Sequence, residues 1–287
     1  MTNARRGLFN APLVVLASIA LTISAWAHGD LHEQIDSVTA QIKASPEEAA
    51  LYLKRAELYR LHEDWPAAAA DYDRATQLAP GLLVVHLGRG RMLLAQGRFD
   101  EAKAELNQFV AGNPGHVDGF VTRARIEVKR GKPLAGAEDF ARAIALSARP
   151  EPEVYLDRAQ ALAAAGGEHV AEALSCLDAG TAKLGNLPTL GLYAIELEVK
   201  RKEFDSALSR LERLSAVSPR KEAWIERRGD ILRLANRPDP AQQAYRQALA
   251  AIAALPARAR ETKATAELQK RLTGKLAEMS TTATATP

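Results

Sequence analysis

From Ala49 onward, small and large apolar residues recur with a period close to 34 residues. Units begin at Ala49, Leu83, Val117, Pro152, Pro188 and Glu222, spaced by 34, 34, 35, 36 and 34 residues. With the first residue of each unit as phase 1, phase 20 is Ala68, Ala102, Gly136, Ala173, Ala207 and Ala241, allowing a two-residue insertion near Gly167. Phase 24, one helical turn later, is always large: Tyr72, Leu106, Phe140, Leu177, Leu211 and Tyr245. Phase 8 is small in Ala56, Gly90, Ala124, Ala159 and Gly229, with Ile195 the exception. Small residues at two phases let two antiparallel helix backbones approach, and the large residue fills the gap beside them. Each unit therefore predicts a helical hairpin, and no alternating strand pattern competes with it.

The turn inside each hairpin is marked by Glu63-Asp64-Trp65-Pro66, Gly97-Arg98-Phe99-Asp100, Gly131-Lys132-Pro133, Gly166-Gly167, Lys202-Glu203-Phe204-Asp205 and Asn236-Arg237-Pro238-Asp239. Proline in a first helical turn and aspartate at a cap both suit such places. Stacked hairpins need covers at both ends. Residues 28–48 supply a leader and an N-terminal capping helix, begun by a capping-box-like Asp30 and Glu33 and carrying Leu31, Ile35, Val38 and Ile42 on one face. Residues 49–255 hold the six units, and residues 256–279 a C-terminal capping helix with a Leu268, Leu272 and Leu276 stripe. Residues 280–287 form a Ser/Thr/Ala tail expected to be unstructured.

Residues 1–27 have a different character. Arg5-Arg6 precedes an apolar run from Leu13 to Ile23, and Ala25-Trp26-Ala27 is a small-x-small cleavage signature. A run of eleven residues is too short to span a bilayer, so the segment is expected to be a signal peptide cleaved after Ala27. The protein would then be periplasmic or secreted, with no stable membrane insertion after cleavage. This changes the charge picture. The chain has 38 Lys and Arg against 35 Asp and Glu, and the leader removes two arginines and no acid, which leaves 36 against 35. No basic excess remains for phosphates, so nucleic-acid binding is not expected. Cys176 is the single cysteine, which excludes an intramolecular disulfide and reads as a small buried apolar residue.

The 34-residue period, the small residues at phases 8 and 20, the aromatic or leucine at phase 24 and the unit-closing prolines Pro80, Pro114 and Pro219 resemble the tetratricopeptide repeat family. The stretch from Tyr52 to Pro80 is most similar to its pattern. The resemblance implies an all-α, right-handed helical-hairpin solenoid of about six repeats with capping helices. It also implies a concave groove lined by phases 2, 5, 9 and 12 of each first helix, taking a protein or peptide partner. Phase 9 reads Glu57, Arg91, Arg125, Gln160, Glu196 and Asp230. The candidate groove residues are Arg91, Arg125 and Lys129, set among Leu87, Leu94, Val121 and Val128, a surface suited to carboxylates beside apolar side chains. Leu53 and Glu57 stand where chaperone-binding relatives place a carboxylate clamp, so that partner class is disfavoured.

Catalytic motifs are lacking: there is no H-E-x-x-H, no G-x-S-x-G and no glycine-rich phosphate loop, so neither catalysis nor a cofactor is expected. Gly90 in Gly88-Arg89-Gly90 is assigned to packing. His62, His86, His116 and His169 lack ligand spacing and read as turn or surface residues. His28 and His32 carry the alternative function: cleavage after Ala27 would place an amine and an imidazole together at His28, suited to copper or zinc. Arg55, Arg89 and Arg123 share phase 7, with Asp71, Glu105 and Asp139 at phase 23, and are expected to form ion pairs within the hairpins. Arg158 and Arg228 have no acid at that phase, and the fifth unit carries Ala194 and Arg210 instead.

Overall fold

A computed structural model describes residues 30–283, which contain fifteen α-helices and no strand. The chain divides into two compact units between Lys132 and Pro133. In the first unit, α1 occupies residues 30–44 and is followed by α2 (Ala49–Leu61), α3 (Trp65–Leu78), α4 (Val84–Ala95), α5 (Phe99–Gly112) and α6 (Val117–Lys129). The second contains α7 (Pro133–Leu146), α8 (Pro152–Ala165), α9 (Val170–Leu184), α10 (Pro188–Lys200), α11 (Phe204–Ala216), α12 (Glu222–Leu234) and α13 (Pro238–Ala253). Two closing helices, α14 (Ala257–Arg260) and α15 (Lys263–Ala283), complete it. Consecutive helices pack as hairpins, α2 with α3 and α4 with α5 in the first unit, and α8 with α9, α10 with α11 and α12 with α13 in the second. The expected signal peptide of residues 1–27 lies outside the described residues.

Local rules set the helix boundaries. Pro152 and Pro188 open α8 and α10, where a missing N–H costs nothing. Asp64 caps α3 by accepting from the Ala67 N–H at 3.2 Å. Phase 15 has a positive φ in all six repeats: Glu63, Gly97, Gly131, Lys202 and Asn236 lie between 57° and 75°, and Gly166, beside the fourth repeat's insertion, lies at 147°. This reversal starts the second helix antiparallel to the first. Glycine adopts it freely, whereas Lys202 at φ 61° carries the steric cost of an L residue. Lys202→Gly is therefore expected to stabilise the protein by about 0.5–1 kcal/mol, the strain relieved less the added chain entropy. Equilibrium urea unfolding measures it, and a loss of stability would mean that the lysine side chain contributes more than its strain.

The predicted small and large phases meet in the core. Phase 20 alanines and the phase 24 side chains Tyr72, Leu106, Phe140, Leu177, Leu211 and Tyr245 are at most 3% exposed. A Cβ at Gly90 would stand 1.8 Å from Leu106 Cδ2, so the glycine is a packing requirement. Gly88 has the same role toward the preceding repeat, because a Cβ there would fall 2.4 Å from the Glu57 carboxylate and 2.7 Å from the Tyr72 ring. Where the fifth repeat departs, Ile195 is buried in one cluster with Ala207 and Leu211. Cys176 is buried as expected, with its Sγ toward the Tyr155 carbonyl, and burial pushes its thiol pKa up.

Both ends are covered. Ile35, Val38 and Ile42 of α1 pack on Leu58, with Leu31 at the edge. Asp30 is helical and is the first described residue of α1. Leu268 and Leu272 of α15 close on Tyr245, Ala248 and Ile252. The expected tail begins too early: α15 continues to Ala283. Met279 packs against the same cluster, and the Ser280 hydroxyl donates to the Leu276 carbonyl at 3.0 Å, so nothing breaks the helix at residue 280. Among the described residues no helix is long and apolar enough to cross a membrane.

Candidate functional site

The first helices of successive repeats lie against one another, α2 with α4 and α4 with α6 in the first unit. Arg91 faces this surface from α4, but its guanidinium is engaged by Asp118 on α6, the phase 2 residue of the next repeat. As a candidate groove residue Arg91 is therefore already paired within the protein. Arg125 is exposed at the same phase of α6. Leu87 and Val121 are 4% and 7% exposed and belong to the core, so Leu94 and Val128, both half-buried, are the aliphatic residues that this face offers. Lys129 is exposed near the end of α6. It lines a hollow of about 450 Å³ at the turn edge, with Gly97, Phe99, Asp100 and Arg130.

Phase 9 acids at the two ends serve the core. Tyr72 donates to Glu57 at 2.6 Å, and Tyr245 donates to Asp230 at 2.8 Å. Burial, reinforced by these carboxylates, holds both phenols far above their ordinary pKa. In the first and sixth repeats, tyrosine at phase 24 coincides with an acid at phase 9. Leu106, Phe140 and Leu177 coincide instead with Arg91, Arg125 and Gln160, and the fifth repeat has Leu211 with Glu196, an acid without the tyrosine. The sequence carried this signal.

The second unit carries the corresponding face on α10 and α12. Between α10 and α12 lies a hollow of about 450 Å³ whose lining includes Ile195, Glu196, Val199, Ala223, Glu226 and Leu234. Glu196, Val199, Ala223 and Glu226 occupy phases 9, 12, 2 and 5. Leu234 is 57% exposed at its rim, a large apolar side chain left in water. Glu226 is held by Arg271 at 3.0 Å and Lys275 at 2.9 Å, both from α15. Burial pushes the Glu226 carboxyl up, but the hydrogen bonds from Arg271 and Lys275 outweigh it and hold the group below the usual carboxylate range.

This sets a pH dependence. A carboxyl lowered on folding binds fewer protons in the native state, so its stabilisation is complete above the unfolded value, about 4.3, and disappears as pH falls through the lowered native value. Glu127 and Glu222 are lowered in the same sense, burial again being outweighed by basic partners. Stability is expected to fall between about pH 5 and pH 3. Urea melts of wild type and Glu226→Gln across that range should converge as the pH drops. Parallel curves would show that Glu226 contributes nothing to the slope.

The arginine row is structural in a more varied way than its spacing implies. Arg55 binds Asp71 through two hydrogen bonds of 2.7 and 2.8 Å and also reaches Thr39 on α1. Arg89 does not take Glu105. It pairs with Asp73 on α3, because His86 occupies Glu105 at 2.6 Å. His86 is thereby a half-buried partner and not a surface residue. Arg123 donates to Asn107 at 3.2 Å and stacks over Phe120. Arg158 finds Glu172 at 2.5 Å and the Ala137 carbonyl. Arg228 lines a hollow of about 540 Å³ with Ser209, Lys221 and Trp224. Of the metal candidates, His28 lies outside the described residues, and His32 is exposed on α1.

Two sequence profiles of the tetratricopeptide repeat family match the chain, over residues 19–82 and residues 59–119. Human DnaJ homolog subfamily C member 3 is 28% identical over 88 residues, which is 31% of this chain and 18% of that protein. The match therefore spans less than a fifth of the relative's length. Among solved structures, the C-terminal part of a repeat-containing protein from Cytophaga hutchinsonii superposes with a TM-score of 0.64 at 14% identity, over 81% of this chain and 94% of that one. A tetratricopeptide repeat protein from Parabacteroides merdae gives a TM-score of 0.51 at 15% identity, over 89% and 97%. Identities this low speak for the fold alone.

Proposed function

Because the chain belongs to the tetratricopeptide repeat family, a fold of protein-interaction scaffolds, we propose that it binds an extended or helical segment of another protein on the first-helix face and catalyses nothing. The observation that carries this reading is the hollow between α10 and α12, with groove-phase side chains on its walls and Leu234 exposed at its rim. An apolar side chain of the partner seats on Val199 and Leu234, and polar groups meet the charged rim. The first unit presents its own first-helix face with Arg125, where a partner carboxylate at Arg91 has to compete with Asp118.

The site of action in this proposal is the periplasm or the exterior, supported by Arg5-Arg6, the Leu13 to Ile23 run and Ala25-Trp26-Ala27. N-terminal sequencing from the native host tests that part, with His28 as the expected first residue and an intact Met1 form as the contrary result. Filling the hollow tests the rest. Ala223→Trp, at an exposed position, should weaken partner binding at least about tenfold while leaving the melting temperature within the small range of surface changes. Unchanged affinity would move the binding surface elsewhere.

A further inference from the structure

Two imidazoles from different helices meet at the start of the first unit. His32 lies on α1 and His62 is the C-cap of α2, and their Nε2 atoms are 3.2 Å apart with ring centroids 4.5 Å apart. Both are held by packed backbone. The Leu58 side chain sits in the cluster that docks α1, and its carbonyl accepts the His62 N–H at 2.9 Å. His32 is exposed and His62 half-buried, so solvent reaches the pair. A zinc-sized ion bonds imidazole nitrogen at about 2.0–2.1 Å, and placed equally from two nitrogens at this separation it would see them at roughly 100°, near the tetrahedral angle.

We propose that His32 and His62 form a two-imidazole site for a late first-row divalent transition ion, which clamps the N-terminal helix to the first repeat. Neutral imidazole nitrogens favour zinc, copper or nickel and offer little to magnesium or calcium. Glu33 and Asp36 follow His32 in sequence, and Glu63 follows His62. Among the described residues no group of three or more His, Cys, Asp and Glu side chains is arranged around a metal, so water or an outside ligand completes the coordination. The site is distinct from the proposed groove. It also differs from a chelate made by a processed terminus, because its second ligand lies thirty residues along the chain from His32. An ion that binds only the folded pair raises stability by mass action.

Isothermal titration of the full chain with Zn²⁺ and Cu²⁺ in a non-coordinating buffer tests the site, with Mg²⁺ as the hard-ion control. The expected result is a saturable Zn²⁺ site that both His32→Gln and His62→Gln weaken by more than about tenfold, since losing a direct ligand exceeds the loss of an outer-shell partner. Cu²⁺ should bind more tightly than Zn²⁺ and Mg²⁺ not at all. Zn²⁺ should raise the melting temperature of wild type and of His28→Ala but not of either glutamine variant. Metal-free melts of His32→Gln, at an exposed position, confirm that the variant is folded. The proposal is overturned if Zn²⁺ binding survives in His62→Gln, if it is lost in His28→Ala, or if neither Zn²⁺ nor Cu²⁺ binds wild type.

Discussion

Arg210→Ala is expected to cost about 3–5 kcal/mol of folding stability, the scale for breaking a buried ion pair from one side. Arg210 on α11 is 9% exposed and donates to Glu198 on α10 at 2.8 and 3.1 Å and to Asp178 on α9 at 2.5 Å. Burial opposes its charge, and the bonds to Glu198 and Asp178 more than offset that, pushing its pKa above the ordinary arginine value. Alanine leaves Glu198, only 4% exposed, as a carboxylate without its counter-charge. Asp178 is about half exposed and returns to water, so the loss is concentrated on Glu198. The double variant Arg210→Leu with Glu198→Leu removes both charges and should recover most of the loss, because apolar replacement of a buried pair is often neutral. Urea unfolding of the single and double variants decides it. A cost below about 1 kcal/mol for the single change would mean that water reaches Glu198.

The second large effect is expected at the hairpin contact. Gly90→Val drives its side chain into the volume of Leu106 and should cost about 2–3 kcal/mol, near the upper end of ordinary overpacking. Leu106→Ala alone empties a fully buried site and should cost about 2–5 kcal/mol. Together they exchange small for large across one contact, and the double variant should be more stable than the sum of the two costs allows by about 1–3 kcal/mol. Additive costs would show that Gly90 and Leu106 do not share the space.

The hairpins were legible because backbone approach needs small residues at fixed phases, and six units repeat the requirement. Ala68, Ala102 and Ala241 with Tyr72, Leu106 and Tyr245 are visible as a period and occupy the core. Charge partners were less legible. Arg55 pairs with Asp71 within its hairpin, but Arg91 finds Asp118, 27 residues along the chain, across two neighbouring first helices. Its own helix carries Leu87 and Leu94 at phases 5 and 12, so no acid near it in sequence announces the pairing. The fifth repeat reverses the hairpin charge by placing Arg210 at phase 23, where Glu198 answers it from the opposite helix. Glu57 and Asp230 resembled ligand-facing acids by position. Their coincidence with Tyr72 and Tyr245 is the sequence signal of a structural role.

A photo-reactive amino acid at Ala223, on the first-helix face, and another at Gln243, an exposed position on α13, test the central claim directly in the native host. Purified partner segment, identified from the Ala223 adduct, then competes in vitro. The account predicts a discrete adduct at Ala223 that the segment abolishes, with little or none at Gln243. An adduct confined to Gln243, or Ala223 labelling that the segment leaves unchanged, would contradict it.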